Sequence, residues 1–240
     1  MWLIKNFVFS IFSVIIAVLT LIAYPVNFKG KLANLLMKIW TNSMLSLYGV
    51  RVNVIGEENI TSPEGKVYVS NHASYLDIFV LLAKVPVNLR ILYKREMNKI
   101  PLLGWAMMAA EFVPIDRENI RSAMRSLEKA SRKMEKGISY VVFPEGTRSP
   151  DGEVKEFKRG MFLLAEKAQK DIIPISISNT RNLMPIGSLK IKSGNVDLVI
   201  GNPIKYKKDK ELLDEIRNTV ISNLKKNNAP LKKPLAKELK

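Results

Sequence analysis

Residues 66–77, KVYVSNHASYLD, combine a β-rich run, a polar turn and the start of a helical pattern. His72, the single histidine of the chain, lies in the turn, and Asp77 follows it by five positions. Five residues of regular helix turn through roughly 500°, so within one helix these side chains would lie on different faces. They can meet if His72 precedes the helix and Asp77 lies in its first turn. The stretch therefore predicts a strand, a turn and a helix, with His72 just beyond the strand.

The chain from about residue 50 onward repeats this alternation of short β-rich runs and helical runs. Alternation of this kind is typical of an α/β fold. The predicted strands cover residues 51–55, 66–70, 89–93, 111–115, 139–143, 172–177 and 196–200.

A helix is predicted over residues 119–136, because apolar side chains recur there at helical spacing and Gly137 follows as a stop signal. The predicted apolar face comprises Ile120, Ala123, Met124, Leu127, Ser131 and Met134. The other face carries the cations Arg121, Arg125, Lys129, Arg132 and Lys133. A solvated helix face explains such a row by itself, and a docking surface for an acidic carrier is the alternative.

The N-terminal region is uncharged over residues 7–24, a length close to the ~18 to 20 residues that cross a bilayer. A second, amphipathic helix is predicted after Pro25. Two arrangements fit these residues: a single span, or two helices that dip into one leaflet and return. We expect residues 1–48 to associate with the cell membrane and residues 49–240 to form the main domain. More cations follow the apolar run than precede it, which predicts that the main domain lies on the cytoplasmic face.

A secretory signal peptide is a competing interpretation of the same region, but no small-residue cleavage pattern follows the long apolar run. A buried core helix is also disfavoured, because the run lacks a polar face.

The composition limits the available chemistry. The absence of cysteine excludes disulfides, thiolate metal sites and cysteine nucleophiles, and a single histidine disfavours a zinc site, so no metal is expected. The formal charge of +16 indicates an acidic partner such as a nucleic acid, an anionic membrane or a phosphorylated substrate. Nucleic acid is disfavoured, because the basic residues are not interleaved with aromatic residues in a recognisable module.

His72 and Asp77 together could remove a proton from an alcohol. Neutral imidazole accepts a proton near neutral pH when a carboxylate holds its other ring nitrogen. A structural interpretation is also open, because Ser74 and Asp77 have the spacing of a helix capping box.

A second polar turn, FPEGTRS at residues 143–149, follows the strand predicted over 139–143. Its arginine, Arg148, could hold a phosphate through two parallel hydrogen bonds. The alternative is a surface turn in which Glu145 and Arg148 pair with each other. Further cations follow other predicted strands, among them Lys94, Arg95, Arg117 and Lys158.

Four motifs occur in order: NHASYLD at residues 71–77, FVPIDR at 112–117, FPEGTRS at 143–149 and IIPISI at 172–177. In this order and spacing they resemble the glycerolipid acyltransferases, most closely the bacterial 1-acyl-glycerol-3-phosphate acyltransferases. The resemblance implies a central, mostly parallel or mixed β-sheet flanked by helices, with an N-terminal membrane-binding helical pair.

The resemblance also implies the activity and the site. His72 would act as general base with Asp77 orienting it, and the acyl group would pass directly from an acyl carrier protein or coenzyme A thioester, with no other cofactor. The absence of a Gly-x-Ser-x-Gly motif agrees with direct transfer. The implied acceptor pocket comprises Glu145, Gly146, Thr147, Arg148 and Arg117, with Lys94 as a looser addition.

The acceptor implied by the resemblance is lysophosphatidic acid, which would give phosphatidic acid. Other acceptors stay open: a lyso-ornithine lipid, another lysophospholipid, or glycerol-3-phosphate itself. A non-catalytic basic module that binds membranes or nucleic acids is a further alternative.

Overall fold

The computed structural model describes residues 2–27, 30–62, 65–116, 118–209 and 211–228. Within these residues the chain forms eight α-helices and seven strands. The helices are α1 (Trp2–Ala23), α2 (Lys31–Tyr48), α3 (Leu76–Lys84), α4 (Leu103–Ala109), α5 (Ile120–Met134), α6 (Leu163–Ala168), α7 (Thr180–Leu183) and α8 (Glu211–Asn228). The strands are β1 (Val50–Ile55), β2 (Val67–Ser70), β3 (Leu89–Lys94), β4 (Val113–Ile115), β5 (Ser139–Val142), β6 (Ile172–Ile177) and β7 (Gly194–Ile200).

The seven strands form one sheet in the order β1-β7-β6-β2-β5-β3-β4. The pairs from β6 through β2, β5 and β3 to β4 are all parallel. β7 pairs antiparallel with β6 and parallel with β1, so these two strands run against the other five. The prediction of a mostly parallel or mixed sheet flanked by helices is confirmed.

Successive side chains of a strand point to opposite sides of the sheet, and in the central strands both sides are covered by helices. Val67 and Val69 of β2 face a cluster built by α5, α6 and α8. Tyr68, between them, faces a cluster that includes side chains of α2, α3 and α7. The sheet is therefore the middle of three layers.

The predicted helix at 119–136 is present as α5, which begins at a side-chain cap: Asn119 Oδ1 accepts the N–H of Ser122 at 3.0 Å. Leu127, Ala130 and Met134 form its buried face. Ile120 was expected on that face but is 80% exposed, because it is the first residue of the helix and lies beyond the packed part.

The strand predicted over 111–115 is shorter than expected. Glu111 has a φ of 70°, in the left-handed region, so the chain turns there before β4 begins at Val113. The neighbouring α4, a short apolar helix, ends just before this turn and packs against α1.

The two N-terminal helices form an antiparallel hairpin. Lys5 Nζ donates to the carbonyl of Leu47 at 2.7 Å, and the ring of Phe9 stacks on Trp40 with 5.7 Å between centroids. α2 lies against α3, so α1 packs on the outside of this helical layer. The segment Trp2–Val26 is, by length and composition, the one stretch in the described residues that could cross a membrane.

α1 exposes large apolar side chains along its length. These are Leu3, Ile4, Phe7, Val8, Ile11, Val14, Ile15, Val18, Leu19 and Ile22. A contiguous apolar surface of this kind marks a site of interaction with a membrane or another protein.

Arg90 of β3 fastens the hairpin to the main domain. Its side chain is fully buried and donates to the carbonyls of Gly30 (2.9 Å) and Ala110, and to Asn34 Oδ1 (3.2 Å). Burial lowers the pKa of Arg90 to about 10, so the guanidinium stays charged at neutral pH. A buried cation is tolerated when its donors are all used, and these acceptors come from α2 and from the end of α4.

Arg90→Ala should lower the free energy of unfolding by about 3 kcal/mol or more, because it leaves buried carbonyls without donors and a cavity behind them. Urea denaturation in a mild detergent measures this loss. The control is Arg51→Ala on the edge strand β1, where the arginine is exposed and the expected change is within about 0.5 kcal/mol. Equal stabilities of the two variants would contradict the fastening role.

Candidate active site

The shared direction of three neighbouring strands gathers polar residues at one edge of the sheet. β6, β2 and β5 are adjacent and parallel, so their carboxyl ends meet. His72 follows β2, Glu145 follows β5 and Thr180 follows β6. Sites in open α/β sheets form at this edge, where the loops beyond the strands come together.

The ring of His72 contacts the carboxylate of Asp77, as the predicted strand-turn-helix arrangement requires. His72 Nδ1 lies 2.9 Å from Asp77 Oδ2, and Asp77, in the first turn of α3, is fully buried. The side chain of His72 is 13% exposed, so the ring sits at the surface of the packed interior. Its other nitrogen, Nε2, has no hydrogen-bond partner in the part of the chain that the structure describes.

Asp77 also satisfies backbone donors at the start of α3, as the structural interpretation of this residue predicted. Its Oδ2 accepts the backbone N–H groups of Ala73 and Ser74, each at 2.8 Å. Ser74 Oγ in turn accepts the N–H of Leu76 at 3.1 Å. These bonds hold the carboxylate still and place its charge beside the imidazole.

Thr180 supplies the remaining contact of Asp77 and was missed by sequence reasoning. Its hydroxyl donates to Asp77 Oδ1, and the residue is almost fully buried. The preceding residue, Asn179, has a φ of 64°, which turns the chain so that Thr180 begins α7 beside α3. The position of Thr180 just beyond β6 was the available signal, because it shares a sheet edge with His72.

Glu145 holds the loop that carries His72. Its Oε1 accepts the backbone N–H of His72 at 2.8 Å, and its Oε2 accepts that of Lys155 at 3.1 Å. Burial raises the pKa of the Glu145 carboxyl, and the two N–H donors partly oppose this effect. Glu145 therefore contacts the backbone of the site and does not pair with Arg148 in the described structure, contrary to the surface-turn alternative.

Phe143 and Gly146 shape the turn that faces the histidine. The ring of Phe143 stacks on that of His72, with 4.0 Å between centroids and 19° between planes. Gly146 has a φ of 76°, which favours glycine, and the side chain of Lys158 passes over it within 3.7 Å of where a Cβ would lie. The N–H of Gly146 donates to the carbonyl of Phe143 at 3.0 Å, so the turn is closed within itself and lies beside the cation of Lys158.

Arg148 lies over the face of Tyr75, with its guanidinium carbon 3.7 Å from the ring centroid. Tyr75 belongs to the same loop as His72 and lies three residues beyond it. The Nη1 atom of Arg148 is buried and has no hydrogen-bond partner within the described residues. A buried donor of this kind costs free energy unless an acceptor reaches it.

The other predicted pocket residues are placed less closely. Thr147 is exposed at the tip of the same turn. Lys94 ends β3, two strands from β2, and its Nζ lies 3.5 Å from Glu96 Oε1, so the structure does not bring it against His72. Arg117 lies outside the described residues.

Two clefts lie away from the histidine. One, of about 800 Å³, is lined by residues such as Gly56, Gly201 and Asn218, between the ends of β1 and β7 and helix α8. The other, of about 600 Å³, lies beside the end of α1, near Tyr24 and Lys133. Neither contains a residue of the predicted site.

The sequence and the structure are similar to those of known proteins. The model of the acyltransferase family matches residues 51–178. The chain is 34% identical over 223 residues to the 1-acyl-sn-glycerol-3-phosphate acyltransferase LPAT1, chloroplastic, of Arabidopsis thaliana, which covers 90% of this chain and 62% of the relative. It is 27% identical over 201 residues to the 1-acyl-sn-glycerol-3-phosphate acyltransferase of Borreliella burgdorferi, covering 81% of this chain and 80% of the relative.

Among solved structures, the chain resembles the 1-acyl-sn-glycerophosphate (LPA) acyltransferase PlsC from Thermotoga maritima. The TM-score is 0.76 at 27% sequence identity, and the match covers 97% of this chain and 100% of that one. The chain spans less than two thirds of the length of the first plant relatives, at 62% and 63%.

The tautomer of His72 can be measured directly, because the chain contains one histidine. In ¹⁵N-histidine-labelled protein above neutral pH, we expect the proton on Nδ1, since the Asp77 carboxylate accepts it there. Asp77→Ala should give a mixture of the two tautomers. The control, Glu145→Gln, should leave the tautomer unchanged because Glu145 contacts the backbone of His72. A proton found on Nε2 in the unaltered protein would contradict the assigned geometry.

Proposed function

The chain belongs to the acyltransferase family, and on that premise we propose that it transfers a fatty acyl group from a thioester to the sn-2 hydroxyl of 1-acyl-glycerol-3-phosphate, giving phosphatidic acid. The observation that carries this proposal is the contact of 2.9 Å between His72 Nδ1 and Asp77 Oδ2. This contact fixes one ring nitrogen and leaves Nε2 to accept a proton.

In the proposed reaction His72 Nε2 removes the proton of the acceptor hydroxyl as its oxygen bonds to the thioester carbonyl carbon. The carbon–sulfur bond then breaks, and the leaving thiolate takes the proton from the imidazolium. Asp77 stabilises the positive ring during the step, because its charge is buried and held by fixed donors. General base catalysis of this kind contributes about 10² to 10⁴-fold, and positioning of the two substrates contributes further.

Arg148 is the proposed ligand of the acceptor phosphate. Its Nη1 atom has no acceptor among the described residues, and a phosphate oxygen would provide one. Lys158, which passes over Gly146, adds positive charge to the same turn. Glu145, Gly146 and Thr147 would then shape the pocket, and Lys94 and Arg117 would contribute charge from the neighbouring strand ends.

The proposed donor is an acyl thioester of acyl carrier protein or coenzyme A, and it serves as co-substrate, so the reaction needs no other cofactor. Direct transfer agrees with the absence of a Gly-x-Ser-x-Gly motif from the sequence. Within the described residues, the ring of His72 contacts Phe143 and Asp77.

We further propose that residues 1–48 attach the enzyme to the cell membrane and that residues 49–240 lie on its cytoplasmic face. The exposed apolar row of α1 supports attachment, and the antiparallel packing of α1 on α2 favours a hairpin in one leaflet over a lone span. Lys31 and Lys38 on α2 would then lie near anionic head groups. A membrane location suits an acceptor that is itself a lipid.

His72→Ala should lower kcat by at least about 10²-fold, because the acceptor proton then has no base. Mass spectrometry of phosphatidic acid formed from lysophosphatidic acid and each type of thioester measures the loss. Co-sedimentation with anionic vesicles is the control, since α1 is unchanged and membrane attachment should persist. Turnover near that of the unaltered enzyme would disprove the role of His72.

Arg148→Ala should raise KM for lysophosphatidic acid by about tenfold or more, because a phosphate contact is lost. The variant should act about as well as the unaltered enzyme on any accepted lysolipid that lacks a phosphate monoester. Arg51→Ala, which removes an exposed arginine from the edge strand β1, is the matched control and should leave both values unchanged. An unchanged KM for lysophosphatidic acid in Arg148→Ala would contradict the assignment of Arg148 to the pocket and favour another acceptor.

A further inference from the structure

One exposed row of cations on α5 takes no part in the proposed chemistry. The α5 row consists of Arg121, Arg125, Lys129 and Arg132, all of them exposed. At 3.6 residues per turn these four side chains fall within roughly 80° of arc, so they form a single stripe along the helix. Of this row, Arg132 has a described ion pair, with Glu128 at 3.9 Å.

The α5 row weakens the helix that carries it. Arg121 and Arg125, and Arg125 and Lys129, are like charges at the i,i+4 spacing, and each such pair costs about 0.2 to 0.5 kcal/mol. Arg121 also lies in the first turn of α5, which contains no acid, where the helix dipole disfavours a cation. An acid at Arg121 and alternating charge signs along the row would give a more stable helix, so stability does not account for the row.

The α5 row lies on the side of the sheet opposite the apolar hairpin. α5 packs in the layer with α6 and α8, whereas α2, which carries α1, packs in the other layer. A membrane that receives the apolar side chains of α1 therefore lies on the far side of the sheet from this row. The position favours a soluble partner over a lipid surface.

The N-terminal end of the α5 row lies at the same edge of the sheet as the candidate active site. Ser122 Oγ accepts from Arg95 Nη1 at 3.2 Å, and Arg95 directly follows β3. Arg95 also pairs at 3.1 Å with Asp116, which directly follows β4. Because β3 and β4 run parallel to β2, this end of α5 shares the carboxyl edge of the sheet with His72.

We propose that the α5 row is the docking surface for an acyl carrier protein, a small acidic protein that holds the acyl chain as a thioester on a flexible arm. The inference rests on the proposed function and names the donor that this surface recognises. The row supplies charge complementary to an acidic helix, and Ile120, 80% exposed beside Arg121, supplies an apolar contact. The thioester arm of the carrier would then reach His72 along the carboxyl edge of the sheet.

The test compares two donors that carry the same acyl group, palmitoyl-acyl carrier protein and palmitoyl-coenzyme A. The double variant Arg121→Glu/Arg125→Glu should raise KM for the carrier-bound donor by about tenfold, with kcat and KM for the coenzyme A donor changed by less than about twofold. The effect should shrink with added salt. The variant should fold, since Arg125→Glu turns the like-charge pair with Lys129 into an opposite-charge pair and Arg121→Glu places an acid in the first turn.

The control is Lys225→Glu/Lys226→Glu, which makes the same change of net charge on α8. Lys226 lines the cleft beside Gly56 and Gly201, at the opposite edge of the sheet from His72. This control should leave KM unchanged for both donors, which separates local docking from the overall charge.

Three results would overturn the proposal: equal KM changes for the two donors, no change for the carrier-bound donor, or loss of binding to anionic vesicles in the α5 variant. The last result would assign the row to lipid. If neither donor supports transfer, the proposed function fails on its own. Fluorescence anisotropy of a labelled acyl carrier protein then decides docking, with binding that the α5 variant weakens about tenfold as the supporting result and equal binding as the contrary one.

Discussion

The fully buried carboxylate of Asp77 is the constraint on which the arrangement of the site depends. A buried charge is tolerated when it is fully hydrogen-bonded, and Asp77 takes donors from the backbone of Ala73 and Ser74, from Thr180 and from the ring of His72. These donors come from two loops that follow different strands. Satisfying one carboxylate therefore fixes the start of α3, the start of α7 and the orientation of the imidazole together.

The loop after β2 is held from a second side by the loop after β5. Glu145 binds the N–H of His72, and the carbonyl of His72 accepts the N–H of Ser149 at 2.8 Å. Asn71 adds a third connection, because its side-chain amide exchanges two hydrogen bonds with the backbone of Ile177 at the end of β6. The histidine is thus held in place by rigid neighbours. A general base needs such support, because it acts only within a small range of distance and angle.

The two faces of the sheet have different surfaces. On one side, the hairpin of α1 and α2 presents apolar side chains and is fastened by Arg90. On the other, α5 presents exposed cations. The site lies at the edge between the two layers. This geometry suits a reaction in which a lipid acceptor arrives from one side and a soluble, acidic donor from the other.

The sequence by itself determined the seven strands, the N-terminal helices, the helix at 119–136 and the local contact, whereas α4, α6, α7 and α8 were not predicted. The strand-turn-helix unit, the α/β class and the meeting of His72 with Asp77 follow from hydrophobic spacing and from five residues of separation, because contacts this close along the chain depend on local conformation. Ile120 and Glu111 departed from expectation at the start of an element, because hydrophobic spacing does not mark where an element begins. The tertiary structure alone decided three contacts. The hydroxyl of Thr180 donates to Asp77, the guanidinium of Arg148 lies over the ring of Tyr75, and Arg90 binds the carbonyl of Gly30 in the hairpin. Those partners are distant in sequence and become neighbours when the strand order is set, so no local pattern could identify them.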